Sequence, residues 1–244
     1  MNKENIFLLV ICLLLLVGCQ VTETIVVNAD GSGQATFELH RVEQSYQLIA
    51  GEEYNKNEAF EDTTYVFDDY IKKYDGTFSK LTPEEKAVFN AYKGVQVHIK
   101  KNSFEKEFRT TFKQDFLHPS KIADLYKTQE YVSDIVHNYA LSAEEHYYKV
   151  SFEYSGNQFK RVVTIISEKF LKKNQEDLVQ YKSKLSPMKL HQKLTFNYHF
   201  PKKIQSVSVA NAKISPDQKS VEITFDLLES LINPESTAVT VEFE

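Results

Sequence analysis

Stretches that alternate apolar and polar residues recur along most of the chain, and they restrict its fold more than any other feature. Ala35, Phe37 and Leu39 alternate with Gln34, Thr36 and Glu38, and Val95, Val97 and Ile99 with Gln96, His98 and Lys100. Phe108, Thr110 and Phe112 alternate with Arg109, Thr111 and Lys113, and Tyr148, Val150, Phe152 and Tyr154 are likewise spaced by two. Leu190, Leu194, Phe196, Tyr198 and Phe200 share one strand face, while His191, Lys193, Thr195, Asn197 and His199 share the other. Side chains of a strand point alternately to its two faces, so strands with one polar face belong to antiparallel sheets covered on one side only.

Turn chemistry pairs these strands. Asn28-Ala29-Asp30-Gly31-Ser32-Gly33 separates the β-branched Thr24-Ile25-Val26-Val27 from the next strand and predicts a hairpin over Thr22 to His40. Ser155-Gly156-Asn157 turns a later hairpin, and Ser215-Pro216-Asp217-Gln218-Lys219 precedes the strand of Val221, Ile223 and Phe225. Val239, Val241 and Phe243 form a last strand. Helices fill the intervals. Val42 to Asn90 reads as interrupted helix, with Val66, Phe67, Tyr70, Ile71 and Tyr74 at helical spacing. Thr82-Pro83-Glu84-Glu85 is a helix start, and Gly94 marks where that helix has ended. Pro119 opens a further helix with Ile122, Leu125, Tyr126, Val132, Ile135 and Val136 on one stripe, and Ser167-Glu168 caps another that runs to about Leu185. The fold class is α+β: mostly antiparallel sheet built from hairpins, with helices packed on one face. Residues 19–244 form one extracytoplasmic domain with a candidate sub-boundary near 186, at Ser186-Pro187.

Residues 1–18 have a different character. A short polar lead, Met1 to Asn5, precedes an unbroken apolar run from Ile6 to Val17. The run is shorter than the roughly 20 residues that span a bilayer, so it reads as the core of a secretory signal. It ends in Leu16-Val17-Gly18-Cys19, which has the pattern of a bacterial lipobox: an apolar residue, a tolerant position, a small residue at the cut, and a Cys whose thiol takes the lipid. Glu4 departs from the positively charged lead of most such signals. Cys12 lies in the discarded segment, so Cys19 is the lipidation site and the mature chain keeps no other thiol. With two or more fatty-acyl chains such as palmitate, attachment is effectively permanent, since each buried methylene contributes about 0.8 kcal/mol.

The formal net charge of −5 argues against nucleic acid or anionic lipid headgroups as partners. Trp is absent, Gly totals 7 and Pro 6, against 14 Tyr and 17 Phe, which favours regular elements around an aromatic core. No phosphate loop, dinucleotide fingerprint, nucleophile elbow or zinc-protease helix motif is present. No catalytic residue, cofactor site or metal site is therefore assigned. Three groups read as surface chemistry. Glu144-Glu145-His146 is a charge cluster. His191 and His199 lie roughly 26 Å apart along a strand, too far for one ion. The acidic stretch Glu52, Glu53, Glu58, Glu61, Asp62, Asp68 and Asp69 reads as a solvated loop leading into a helix first turn. Asp30-Gly31 is a turn, since the spacing of a calcium loop is missing. Of the adjacent Tyr147 and Tyr148, one is expected to be exposed on a contact surface.

The last third, with Phe196-Asn197-Tyr198-His199-Phe200-Pro201, Ile204-Gln205-Ser206-Val207-Ser208 and Ile214-Ser215-Pro216-Asp217-Gln218-Lys219-Ser220-Val221, resembles uncharacterised lipoproteins of the Bacteroidota. Together with the early Asp30-Gly31-Ser32-Gly33 hairpin it is also similar to the extracytoplasmic domain of LppM-type lipoproteins, in which a transmembrane helix usually follows; here the sequence stops at Glu244. The resemblance brings no catalytic residues. It implies an outer-membrane lipoprotein: Gln20 after the lipidated Cys is similar to outer-membrane retention, and Gln20-Val21-Thr22-Glu23 lacks the acidic run that resembles surface export, which implies the periplasmic face.

The expected function is that of a lipid-anchored cell-envelope lipoprotein, a non-enzymatic binding or assembly module. Its expected partners are the membrane, through the N-terminal lipid, and an envelope protein or lipid. Two alternatives stay open. One is a hydrolase of envelope glycans or peptides, which needs two close carboxylates in a cleft. The other is a small-molecule or lipid carrier, which needs a large apolar cavity.

Overall fold

The computed structural model describes residues 19–43, 60–137, 147–185 and 192–244. Its first hairpin is β1 (Cys19–Val27) and β2 (Gly33–Arg41). The turn between them holds because Gly31 takes φ +84° and Asp30 accepts bonds from both the Ser32 amide (3.0 Å) and its hydroxyl (2.7 Å). The Asp30 carboxylate thus closes a turn, as the sequence predicts, and Ser32 holds its pKa below the usual value.

Next come β3 (Phe60–Val66), α1 (Phe67–Lys73), α2 (Asp75–Phe78) and α3 (Pro83–Asn90). The strand β3 corrects the helical reading of this stretch. Phe60-Glu61-Asp62-Thr63-Thr64 has little helical signal of its own and pairs along its whole length with the neighbouring strand, where Glu61 bonds Lys101 (2.9 Å) and Asp62 bonds His98 (2.8 Å). Two of the seven acidic residues are therefore cross-strand partners. Asp68 and Asp69 do lie in the first turn of α1, and Asp68 also accepts from the Gly94 amide at 3.2 Å. Glu52, Glu53 and Glu58 lie outside the described residues. The start of α3 is as the sequence predicts: Thr82 Oγ1 accepts from the Glu85 amide (3.2 Å) while Glu85 accepts from the Thr82 amide (2.8 Å). Gly94, at φ +81°, reverses the chain after it.

The second hairpin is β4 (Gln96–Asn102) and β5 (Glu107–Phe116). The helix expected from Pro119 starts later, since α4 covers Thr128–His137. Residues 119–127 instead make two short 3-10 turns. Tertiary bonds prevail over the helical stripe here. The Ala123 amide donates to Gln114 Oε1 (2.8 Å), and the Asp124 carboxylate accepts from the Val150 amide (3.0 Å), so both are held across elements in a way a continuous helix could not satisfy. Then follow β6 (Tyr148–Ser155), β7 (Gln158–Ile165), α5 (Glu168–Leu185), β8 (Lys193–His199), β9 (Ile204–Val207), β10 (Lys213–Ile214), β11 (Ser220–Asp226), α6 (Leu227–Ile232) and β12 (Val239–Phe243).

The strands form two sheets. The larger has eight, in the order β10-β11-β8-β1-β2-β5-β4-β3; the smaller has four, β6-β7-β12-β9. All pairings are antiparallel except β1 with β8, which run parallel from Gln20 beside Lys193 to Val26 beside His199. The α+β class stands, with mostly antiparallel sheet. One face of the large sheet is buried: Val21, Ile25, Phe37, Phe112, Phe196 and Ile223 all point into the core. The small sheet packs on that face through ring contacts such as Phe159 with Tyr198 and with Phe200, both at 5.1 Å. Beside it, α1, α3 and α4 cover the same face through Phe67, Phe89, Tyr92 and Tyr131. The Ser186-Pro187 sub-boundary lies outside the described residues; strands from either side of it share both sheets.

Candidate functional site

Cys19 is the first residue of β1, paired with Arg41 on β2. No spacer separates the proposed acyl position from the ladder, because Gln20 already pairs with His40 on one side and Lys193 on the other. Whatever holds Cys19 holds the end of an interior strand of the large sheet.

Four residues further along β1 a carboxylate enters the core. Glu23 occupies an inward position between Val21 and Ile25, and its side chain is 6% exposed. Facing it from the small sheet is Arg161, 1% exposed, at an inward position of β7. Arg161 Nε lies 3.2 and 3.3 Å from the two carboxylate oxygens, and Nη1 donates to the carbonyl (3.1 Å) and hydroxyl (2.8 Å) of Thr237. Tyr126 donates to Glu23 at 2.9 Å and Tyr198 at 2.5 Å, and the guanidinium lies 4.4 Å from the Phe196 ring centre. Burial alone lowers the Arg161 pKa, but Glu23, and after it Tyr126 and Tyr198, outweigh that and hold it above its ordinary range. Burial first, then Glu23, drives both phenols well above 10.0. The cluster joins the two sheets by charge and hydrogen bonds inside an apolar core.

A pH dependence follows. The folded chain keeps Tyr126, Tyr147 and Tyr198 protonated above pH 10.0, where the unfolded chain releases those protons. A raised folded pKa contributes stability that is complete below the unfolded value and is lost as pH climbs toward the folded one, at up to about 1.4 kcal/mol per pH unit for each tyrosine. Urea midpoints are expected to be steady from pH 8 to about 9.5 and to fall steeply by pH 11. A flat profile to pH 11 would contradict the buried phenols.

The same geometry bears on the alternatives. The hydrogen-bond partners found for Glu23 are a guanidinium and two phenols, an arrangement that fixes a charge and does not pair two acids. A cavity of about 10 Å³ beside it, lined by Ile25, Phe37, Leu125 and Phe152 among others, is the size of one water. A larger space of about 420 Å³, between Tyr92, Tyr131, Lys127, Lys149 and Ile166, is an open surface groove. At the Cys19 end of the large sheet the exposed rings of Phe60 and Phe104 lie against each other at a tilt of 36°, centres 5.1 Å apart.

Other candidates from the sequence separate. Glu144-Glu145-His146 and His191 lie outside the described residues, and His199 is exposed at the end of β8. The exposed tyrosine expected at 147 or 148 is not found: Tyr147 is buried and donates to the Leu231 carbonyl (2.9 Å), and Tyr148 is half-buried. Tyr147 precedes the first ladder residue of β6, so strand alternation does not govern it. Among the described residues no group of three or more His, Cys, Asp or Glu is placed to hold a metal, and no helix is long and apolar enough to cross a membrane. Sequence reasoning missed Glu23 and Arg161. The signal was present, since each interrupts a row of inward apolar residues with a charge of opposite sign.

No family model matches the chain, and no curated protein matches it. Among solved structures it is similar to the folded domain of the Mycobacterium tuberculosis LppM protein, determined by NMR, at a TM-score of 0.39 and 7% identity over 93% of this chain and 90% of that one. At those values the likeness is a loose one.

Proposed function

We propose that this chain is a lipid-anchored lipoprotein of the cell envelope whose folded part is a non-enzymatic binding or assembly module for an envelope protein or lipid. One observation carries the reading. The lipobox Leu16-Val17-Gly18-Cys19 ends a short apolar run, and the ladder of the large sheet begins at that same Cys. A cleaved and acylated Cys19 would leave the domain seated directly on its anchor. The partners that Glu23 bonds, a guanidinium and two phenols, include no second acid, which supports a structural role for this cluster and with it a binder over a hydrolase. The absence of a transferred catalytic motif in the sequence agrees. We further propose the outer membrane, on its periplasmic side, on the Gln20 sorting position.

Metabolic labelling with palmitate in the native host tests the anchor. The wild-type chain is expected to carry label and to sediment with membranes. Cys19→Ala is expected to lose the label, since the thiol that takes the lipid is gone, and to keep the mass of its leader. Label retained in Cys19→Ala, or an unlabelled wild-type chain, would refute it. Crosslinking in intact membranes, with Cys19→Ala as control, then reads out the partner.

A further inference from the structure

The end of the large sheet that carries Cys19 also carries the exposed aromatic pair, and the strand register shows how they are placed. Gln20 pairs with His40, His40 with Arg109, Arg109 with Lys100, and Lys100 with Asp62, which draws one row straight across β1, β2, β5, β4 and β3. Cys19 lies one residue beyond that row. On the same side, Phe60 lies two residues beyond it on β3, and Phe104 lies past the end of β4, at the tip of the β4–β5 hairpin. With strands about 4.8 Å apart, β4 stands roughly 14 Å from β1 and β3 roughly 19 Å. At about 3.3 Å per residue, Phe104 lies roughly 10 Å further along its own strand than the row of Cys19, and the twist of about 20–25° between neighbouring strands splays that tip away from β1.

Phe104 is 78% exposed and Phe60 is 55% exposed. The charges around them are matched: Lys101 bonds Glu61 at 2.9 Å and Lys100 bonds Glu107 at 2.8 Å. An acylated Cys19 fixes where the bilayer surface lies. Among the described residues, a rim at the same end of that sheet carries exposed rings within reach of the headgroup boundary, into which apolar side chains enter by about 5–10 Å. We propose that the β4–β5 hairpin tip, with Phe104 and Phe60, is a second membrane contact that inserts into the phospholipid interface and sets the tilt of the anchored domain. The inference rests on the lipid-anchor reading. Matched charges mean that insertion proceeds through the rings, so zwitterionic lipid suffices.

The chain contains no Trp, so one substituted Trp is a unique fluorophore. Phe104→Trp places it at the tip. Leu117→Trp places it at the opposite end of the sheet, on a residue 87% exposed just after β5. Each full chain is purified from bacterial membranes, weighed by intact-mass spectrometry, and reconstituted into phosphatidylcholine vesicles containing acyl-brominated phosphatidylcholine. Phe104→Trp is expected to shift its emission to the blue and lose most of it to the bromines, while Leu117→Trp keeps a water-exposed spectrum. Equal quenching in both chains, or in neither, would overturn the contact. Protection of the Phe104→Trp fluorophore from aqueous acrylamide without bromine quenching would assign the tip to a second copy of the chain and also overturn it. The mass reads the anchor separately: an acylated chain with an unquenched tip leaves the lipoprotein reading standing, whereas an unacylated mass removes that reading itself.

Discussion

Replacing Arg161 with Met lowers the unfolding free energy by about 3–5 kcal/mol, the range for removing one partner of a buried ion pair. The loss comes from what is left behind. Glu23 stays inside the core with its guanidinium gone, and the Thr237 carbonyl loses its donor. Tyr126 and Tyr198 remain as donors to the carboxylate, but neither phenol supplies the counter-charge that the guanidinium gave in a dry space. Glu23→Leu is expected to cost a similar amount for the mirror reason, since it strands the cation and removes the acceptor of two buried phenols. The double variant Glu23→Leu with Arg161→Met is expected to be more stable than the sum of the single losses implies, because no charge is left without its partner. Urea unfolding of the four chains closes the cycle. Additive losses would mean that the two residues act independently, and the clamp between the sheets would have to be abandoned.

Phe159→Ala is expected to cost about 3–5 kcal/mol, the range for truncating a buried Phe. Phe159 is fully buried on β7, and its ring meets Phe152 on its own sheet at 6.0 Å and both Tyr198 and Phe200 of the large-sheet side at 5.1 Å. Removing it leaves a cavity where the sheets meet, walled by other rings that are themselves held in contact on their far sides. Ring pairs add roughly 0.5–1.5 kcal/mol each beyond the area they bury, so this position loses more than an isolated aliphatic would. Val179→Ala, on an exposed residue of α5, is the control and is expected to stay within about 0.5 kcal/mol of wild type. Denaturation midpoints measured by circular dichroism decide it. A Phe159→Ala loss below about 1 kcal/mol would show that the two sheets do not share one close-packed core.

Several elements are legible in the chain because their causes are local. The first hairpin follows from Gly31 and Asp30, whose backbone freedom and carboxylate close the turn within a few residues. The start of α3 follows from Thr82 and Glu85, which satisfy each other's amides. The strand faces of β4, β5, β6 and β8 follow from period-two patterning that any water-facing sheet imposes.

Other features depend on partners far along the chain. The strand β3 depends on its ladder to β4, from Phe60 beside Asn102 to Val66 beside Gln96, and the β-branched and aromatic Thr63-Thr64-Tyr65-Val66 is only a short local signal for it. Residues 119–127 abandon a helical stripe because Asp124 and Ala123 have better bonds to distant elements. The parallel pairing of β1 with β8, the division of strands between two sheets, and the meeting of Glu23 with Arg161 across 138 positions are likewise non-local. The sequence by itself determined where the apolar faces of the strands lie and where the first hairpin turns, since each depends on neighbours a few bonds away. Only the tertiary structure decided which inward faces meet, because apolar burial rewards contact without specifying a partner and a buried charge selects its counterpart only once the sheets are brought together.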